Sequence, residues 1–172
     1  KWAKVMMPAI LVILLMLMIR GLTLPNGSKA LEFLFQPKFS DLTPSSVVLA
    51  LGHAFFTLSL GMGTMITYGS YLKRDQNLLT SALWIIFLDT LIALMAGTAI
   101  FSAVFAMGAN PSEGAGLIFV VLPTIFPAIQ LGTLWGTFFF FLLFLAALTS
   151  AISILEVITA YFVDEKGWSR LK

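Results

Sequence analysis

His53-Ala54-Phe55-Phe56-Thr57-Leu58-Ser59-Leu60-Gly61-Met62-Gly63 lies inside an apolar stretch, about Val47 to Tyr71, that is long enough to cross a bilayer. Two hydroxyls and two glycines fall at its middle. A glycine costs about 1 kcal/mol relative to alanine in an aqueous helix interior, so Gly61-Met62-Gly63 weakens the helix where polar side chains gather. The stretch predicts a spanning helix interrupted near Ser59 to Gly63. Backbone groups released there find no water in hydrocarbon and must face protein or a cavity, where they can coordinate a cation or the charged ends of a zwitterion. Close helix packing through the glycines is the other reading, and the pattern alone leaves both open.

The surrounding composition places this helix in a membrane. Of 172 residues, 59% are hydrophobic and only 10% charged, against about 25% charged in a soluble domain. Mean hydropathy is +1.00, which excludes a water-soluble fold, disorder and fibrous repeats. Four Trp and sixteen Phe complete the composition of an all-α, polytopic integral membrane protein. Three further apolar segments are long enough to span, about 5–24, 78–104 and 131–163, within a single transmembrane domain over 1–172. Pro8 is expected in the first turn of the opening span, where a missing N–H costs little. The last segment is too long to cross upright and should tilt or extend beyond the bilayer. With no Cys, disulfides and thiolate sites are excluded. The chain opens at Lys1 in the flank of a span, without an initiator Met, and is expected to be a piece of a larger protein.

The net charge of +2 comes from basic residues in short loops and at the ends, which read as topology signals and not as a nucleic-acid footprint. Lys1, Lys4, Lys73, Arg74, Lys166, Arg170 and Lys172 would share one side, leaving Arg20, Lys29 and Lys38 on the other. The positive-inside rule then puts both ends in the cytoplasm. The outer loop from Pro25 to Ser46 has turn chemistry at Asn26-Gly27 and little hydrophobic periodicity. The second outer connection, about 106–130, differs in kind. It carries Gly108, Asn110-Pro111 and Gly114-x-Gly116, then Leu117 to Leu122 before Pro123 and Pro127. That apolar stretch is too short to span and predicts a re-entrant or lid-like hairpin packed on the bundle.

Polar residues inside the spans carry the functional information, because each must find a partner within the protein. Asp89 is the strongest signal, one carboxylate in the apolar run Trp84-Ile85-Ile86-Phe87-Leu88-Asp89-Thr90-Leu91-Ile92. It costs several kcal/mol there unless paired or protonated, which favours a functional role. In the last span Ala146, Thr149, Ser150 and Ile154 share a helical face that can offer hard oxygen ligands. That pattern alone is a weak signal, because hydroxyls in transmembrane helices mostly bond back to their own backbone or glue helices together. His53, one turn from Thr57, could share the cavity at the break but reads first as a hydrogen-bonded structural group, and Glu156, towards the cytoplasmic half of its span, reads as a snorkelling or structurally paired group. There is no HExxH, Walker loop or nucleophile elbow, so enzymatic chemistry is not expected; Gly132-x-x-x-Gly136 reads as helix packing.

Phe55-Phe56-Thr57-Leu58-Ser59-Leu60-Gly61-Met62-Gly63, followed by Ile66-Thr67-Tyr68-Gly69-Ser70-Tyr71, closely resembles the sixth helix of the neurotransmitter:sodium symporters, the leucine-transporter-like family. The resemblance covers the whole chain. Lys1 to Leu24 looks like the fifth helix, Ser70 to Gln76 the next cytoplasmic loop, and Leu78 to Val104 the seventh helix. Gly116-Leu117-Ile118-Phe119 with Leu122-Pro123 is similar to the fourth external loop, and Leu148-Thr149-Ser150 to the eighth helix. The resemblance implies a leucine-transporter-type inverted-repeat bundle with a discontinuous helix. It also implies a bacterial sodium-coupled amino-acid symporter of the inner (plasma) membrane, working by alternating access. Phe56, Thr57, Ser59, Met62, Ser150 and Ile154 would then line the substrate site, with Phe56 as an aromatic lid. Thr57 and Asp89 would fall on a first Na⁺ site, and Ala146, Thr149 and Ser150 on a second.

This sequence departs from the family pattern at three places. Glutamine is usual at His53, asparagine at Asp89, and serine or an acid is common at Ala93. Relatives that depend on chloride have neutral residues matching Asp89 and Ala93, so the carboxylate of Asp89 implies chloride-independent transport. The uncharged pocket residues imply a neutral, bulky hydrophobic L-amino acid. The family's first helix, which grips the substrate carboxylate and both ions, has no counterpart here, so each site would be completed by the remaining helices of a parent transporter. The competing reading is a free-standing four-span protein, a small proton-coupled exporter built around Asp89 or a structural subunit.

Overall fold

The computed structural model describes residues 3–36, 38–111 and 116–169. Lys1, Gly114, Arg170 and Lys172, used above to orient the chain and mark its loop, lie outside the described residues. All regular structure among the described residues is helical: α1 (Ala3–Leu22), α2 (Lys29–Phe35), a 3₁₀ turn (Phe39–Asp41), α3 (Pro44–Thr57), α4 (Thr64–Ser70), α5 (Leu78–Ala106), a π turn (Leu117–Val121), α6 (Leu122–Ile125), a second 3₁₀ turn (Phe126–Ala128) and α7 (Gly132–Lys166). By length and composition three of these can cross a membrane, over Lys4–Leu22, Leu78–Ala106 and Gly132–Lys166. At 35 residues, α7 is about 52 Å long, well over the hydrocarbon thickness.

The expected second crossing is divided between α3, of 14 residues, and α4, of 7. Neither reaches across about 30 Å alone. The start of α3 is set by local chemistry: Thr43 Oγ1 accepts the Ser46 N–H at 3.2 Å, Ser46 Oγ accepts the Thr43 N–H at 3.3 Å, and Pro44 occupies the first helical position. Asn77 plays the corresponding part for α5, its Oδ1 accepting the Thr80 N–H at 3.2 Å.

The chain forms two compact units, Lys1–Lys38 with Thr90–Ala146, and Phe39–Asp89 with Ala147–Lys172. The first contains a buried cluster of Ile13, Leu17, Leu24, Ala103, Val104, Leu117, Leu122, Ile125, Phe126 and Phe139. The turns from Leu117 to Ala128 therefore pack on α1, α5 and α7 through their apolar side chains. In the same unit the chain folds tightly after α1, with Asn26 at φ 58 and the fully buried Ser102 hydroxyl donating to the Gly27 carbonyl at 3.0 Å. A Cβ on Gly27 would overlap the Gly21 carbonyl oxygen, so only glycine fits. Arg20, in the last turn of α1, donates to Thr23 Oγ1 at 3.0 Å and lies 5.9 Å from the Trp135 ring centre.

Two expectations are corrected. Pro8 does not lie in the first turn: α1 already runs from Ala3, so Pro8 is inside the helix and removes an interior hydrogen bond. The loop after α1 is not irregular throughout, since it holds α2 and the Phe39–Asp41 turn. Phe33 of α2 packs edge-on against Phe101 and Phe105 at 4.9 and 5.5 Å, which is tertiary support that two helical turns need and that no periodicity over so short a stretch reveals.

In the second unit α7 ends at Lys166, and Gly167, at φ 65, turns the chain back so that the Trp168 N–H reaches the Phe162 carbonyl at 3.2 Å. The Trp168 ring stacks on Phe162 with centres 4.6 Å apart.

At the start of α7 a Cβ on Gly132 would overlap the Phe126 carbonyl. Gly132→Ala should therefore destabilise the full-length protein by about 1–3 kcal/mol, seen as a lower thermal unfolding temperature in detergent. Gly116→Ala, at a site with open space for a Cβ, should leave it unchanged.

Candidate functional site

The break between α3 and α4 carries Phe56, Thr57, Ser59 and Met62 on or beside it. The last turn of α3 closes with the Leu58 N–H on the Ala54 carbonyl at 3.1 Å, Ser59 on Phe56 at 3.1 Å and Leu60 on Phe55 at 2.9 Å. The backbone then turns left-handed three times, at Ser59 (φ 53), Gly61 (φ 81) and Gly63 (φ 76). Glycine is free to do this and serine is not, so Ser59 is held against its own preference. Helix resumes when the Thr67 N–H bonds to the Gly63 carbonyl at 2.9 Å. Between these points the N–H groups of Gly61, Met62 and Gly63 have no backbone acceptor among the described residues. The expected interruption near Ser59 to Gly63 is thus observed: regular helix is lost from Leu58 to Gly63, and the N–H groups left without a backbone acceptor are those of Gly61 to Gly63.

Two candidate residues meet directly beside it. The Thr57 hydroxyl, in the last turn of α3, donates to Asp89 Oδ1 of α5 at 2.9 Å. Asp89 is half-buried and Thr57 exposed in this chain. The pair sets a carboxylate and a hydroxyl oxygen next to unpaired backbone. Phe56 is 75% exposed, while Met62 and Ile154 are also exposed, so the side chains expected to line a pocket point away from this chain's own core. His53 is exposed on α3.

Ala146, Thr149, Ser150 and Ile154 stand on successive turns of α7, with Ala146 and Thr149 half-buried and Ser150 exposed. The Thr149 carbonyl accepts the Ser153 hydroxyl at 3.1 Å. Ser153 in turn accepts the Tyr68 phenol of α4 at 3.0 Å. One turn along both helices, Tyr71 Oη donates to Glu156 Oε1 at 2.7 Å, which is the structural pairing expected for Glu156. The two phenol rings meet edge to face at 6.4 Å. Tyr68, Tyr71 and Ser153 were not singled out in the sequence. The tyrosines stand in the sequence only as part of the sixth-helix motif, and their pairing leaves a matched spacing, three residues between the tyrosines and three between Ser153 and Glu156. Thr64, the first residue of α4, is 4% exposed and its hydroxyl has no partner among the described residues.

Among the described residues there is no cluster of three or more His, Cys, Asp or Glu. A cation held here would be bound by hydroxyls, carbonyls and one carboxylate. These are hard oxygen donors of the kind alkali and alkaline-earth ions take and softer transition metals do not prefer, so the donor set suits Na⁺.

Helices long enough to span, with one interrupted at mid-course beside a carboxylate, define a multi-pass membrane protein of the discontinuous-helix, leucine-transporter fold. The sequence profile of the sodium:neurotransmitter symporter family matches residues 1–170, and the chain belongs to that family, which is one of transporters and not of enzymes. It is 46% identical over 171 residues to the uncharacterized sodium-dependent transporter YhdH of Bacillus subtilis (strain 168), a match covering 98% of this chain and 38% of that protein. It is 31% identical over 162 residues to the sodium- and chloride-dependent GABA transporter ine of Drosophila melanogaster, covering 89% of this chain and 17% of that protein. The crystal structure of MhsT in complex with L-phenylalanine is similar with a TM-score of 0.83 and 51% identity, over 96% of this chain and 38% of that one. The chain spans little more than a third of the length of YhdH or MhsT.

The left-handed backbone at Ser59 has a direct test. Ser59→Val should destabilise the full-length protein by about 1–2 kcal/mol, because a β-branched side chain resists positive φ. Ser59→Gly should match or exceed the wild type in thermal unfolding, and equal melting of the two variants would show that the position is not held left-handed.

Proposed function

We propose that this chain is part of a sodium-coupled symporter that carries a neutral, bulky hydrophobic L-amino acid across the inner (plasma) membrane by alternating access, without chloride. The observation that carries the reading is the Thr57 to Asp89 contact of 2.9 Å at the mouth of the unwound segment. A carboxylate in an apolar span is costly unless it is balanced, and a Na⁺ ion beside it supplies the balance. In this reading Thr57 and Asp89 belong to a first Na⁺ site, and Ala146, Thr149 and Ser150 to a second. Phe56, Thr57, Ser59, Met62, Ser150 and Ile154 contact the amino acid, whose ammonium group meets the released backbone of the break. Helices of the parent outside this chain complete both ion sites and the pocket, and both ends of the chain face the cytoplasm.

The names of YhdH, a sodium-dependent transporter, and of MhsT, crystallised with L-phenylalanine, support the ion and the substrate class. Phe56, Met62 and Ile154 bring no charge to pair with a charged side chain, and Met62 is flexible enough to fit large or aromatic groups.

Uptake of labelled amino acids by the full-length protein in proteoliposomes tests this. Transport should require a sodium gradient, persist when chloride is replaced by gluconate, and be inhibited by leucine, phenylalanine or tryptophan at least about tenfold better than by aspartate or lysine, a gap of about 1.4 kcal/mol or more. Uptake driven by a pH gradient without sodium would favour the proton-coupled exporter instead.

Asp89 also bears on chloride. Two Na⁺ ions beside a zwitterion leave positive charge in a low-dielectric site, and a fixed carboxylate offsets part of it without a borrowed anion. Asp89→Asn should lose transport in chloride-free buffer, and Asp89→Asn with Ala93→Ser should regain part of it when chloride is added. Normal chloride-free transport by Asp89→Asn would remove the carboxylate from this role.

A further inference from the structure

The Tyr68 phenol donates to Ser153 Oγ at 3.0 Å, and Ser153 Oγ donates to the Thr149 carbonyl at 3.1 Å. We propose that Tyr68 is a positioning residue for the second sodium site, acting through Ser153 on the turn of α7 that carries Thr149 and Ser150. The inference rests on the sodium-coupled reading above and adds to it the element that ties this site to the broken helix.

Ser153 has one hydroxyl proton and spends it on the Thr149 carbonyl, which as an acceptor also serves the helix. A serine back-bonded in this way bends its helix locally, and so sets the direction of the hydroxyls one turn earlier. Serine alone holds that geometry loosely, since its hydroxyl rotates. The incoming Tyr68 phenol fixes the rotamer and polarises the Ser153 O–H towards the carbonyl, which strengthens the second bond of the chain.

Tyr68 belongs to α4, the half-helix that begins after the unwound segment. Any shift of α4 that withdraws the phenol releases the turn of α7, and any ion that draws Thr149 and Ser150 into a fixed arrangement favours the position of α4 in which the phenol reaches Ser153. Sodium occupancy and the posture of the broken helix are thereby linked in both directions. The ring of Tyr68 also meets Tyr71 edge-on, a contact that leaves the phenol oxygen directed to Ser153.

The test is a double-mutant cycle in the full-length protein, reading sodium half-saturation of amino-acid binding, amino-acid affinity at saturating sodium, and thermal unfolding in sodium-free choline buffer. Tyr68→Phe and Ser153→Ala should each raise the sodium half-saturation about three- to tenfold, as expected of one interhelical hydrogen bond in a membrane. The double variant should be no worse than either single one. Ser153→Thr, which keeps the hydroxyl, should restore the wild-type value. Amino-acid affinity at saturating sodium should not move. Unchanged sodium half-saturation, additive losses in the double variant, or lowered melting without a change in sodium half-saturation would overturn the inference while leaving the symporter reading intact. Binding by the wild type that ignores sodium would overturn the symporter reading itself.

Discussion

Hydrocarbon offers no hydrogen bonds, so a helix that unwinds inside a membrane must have something to bind with the groups it releases. In this chain the unwinding is favoured by the sequence: Gly61 and Gly63 take left-handed conformations that extend the turn begun at Ser59, and α4 does not continue α3. The remaining features of the second unit follow. Thr57 is the last helical residue before the break, and its hydroxyl is directed to Asp89. The short α4, which lacks the length to be stable alone, is fastened to α7 by the Tyr68 and Tyr71 phenols.

The first unit has a different construction. Its buried residues are mostly apolar; of its buried hydroxyls among the described residues, Thr98 bonds back to the Leu94 carbonyl of its own helix and Ser102 ties down the turn at Gly27. Close approaches at Gly27 and Gly132 leave no room for a Cβ, so the turn after α1 and the start of α7 have single solutions. The second unit, with its exposed hydroxyls, carboxylate and phenols, carries the groups that can exchange partners with an ion or an amino acid.

The membrane class and the break were legible in the sequence because both are written locally, in apolar runs and in Gly61-Met62-Gly63. Asp89 was legible as a misplaced carboxylate, but its partner was not: Thr57 lies 32 residues away, and only the family resemblance joined them beforehand. Tyr68 and Ser153 are 85 residues apart, and phenols and hydroxyls are too common for their pairing to be read from spacing. The helix Lys29–Phe35 escaped notice because two turns carry almost no periodic signal and depend on packing by Phe33 and Leu34. The apolar run that begins near Val5 puts Pro8 in a first turn, whereas α1 begins before that run, at Ala3.

If the unwound backbone is where the ion and the amino acid are held, its amides must become protected when both are present. Hydrogen–deuterium exchange of the full-length protein over Leu58 to Gly63 measures this directly. The account predicts slowed exchange in this segment when sodium and a bulky neutral amino acid are added together, with little change in choline buffer. Exchange that is the same in sodium and choline, or protection confined to other segments, would contradict it.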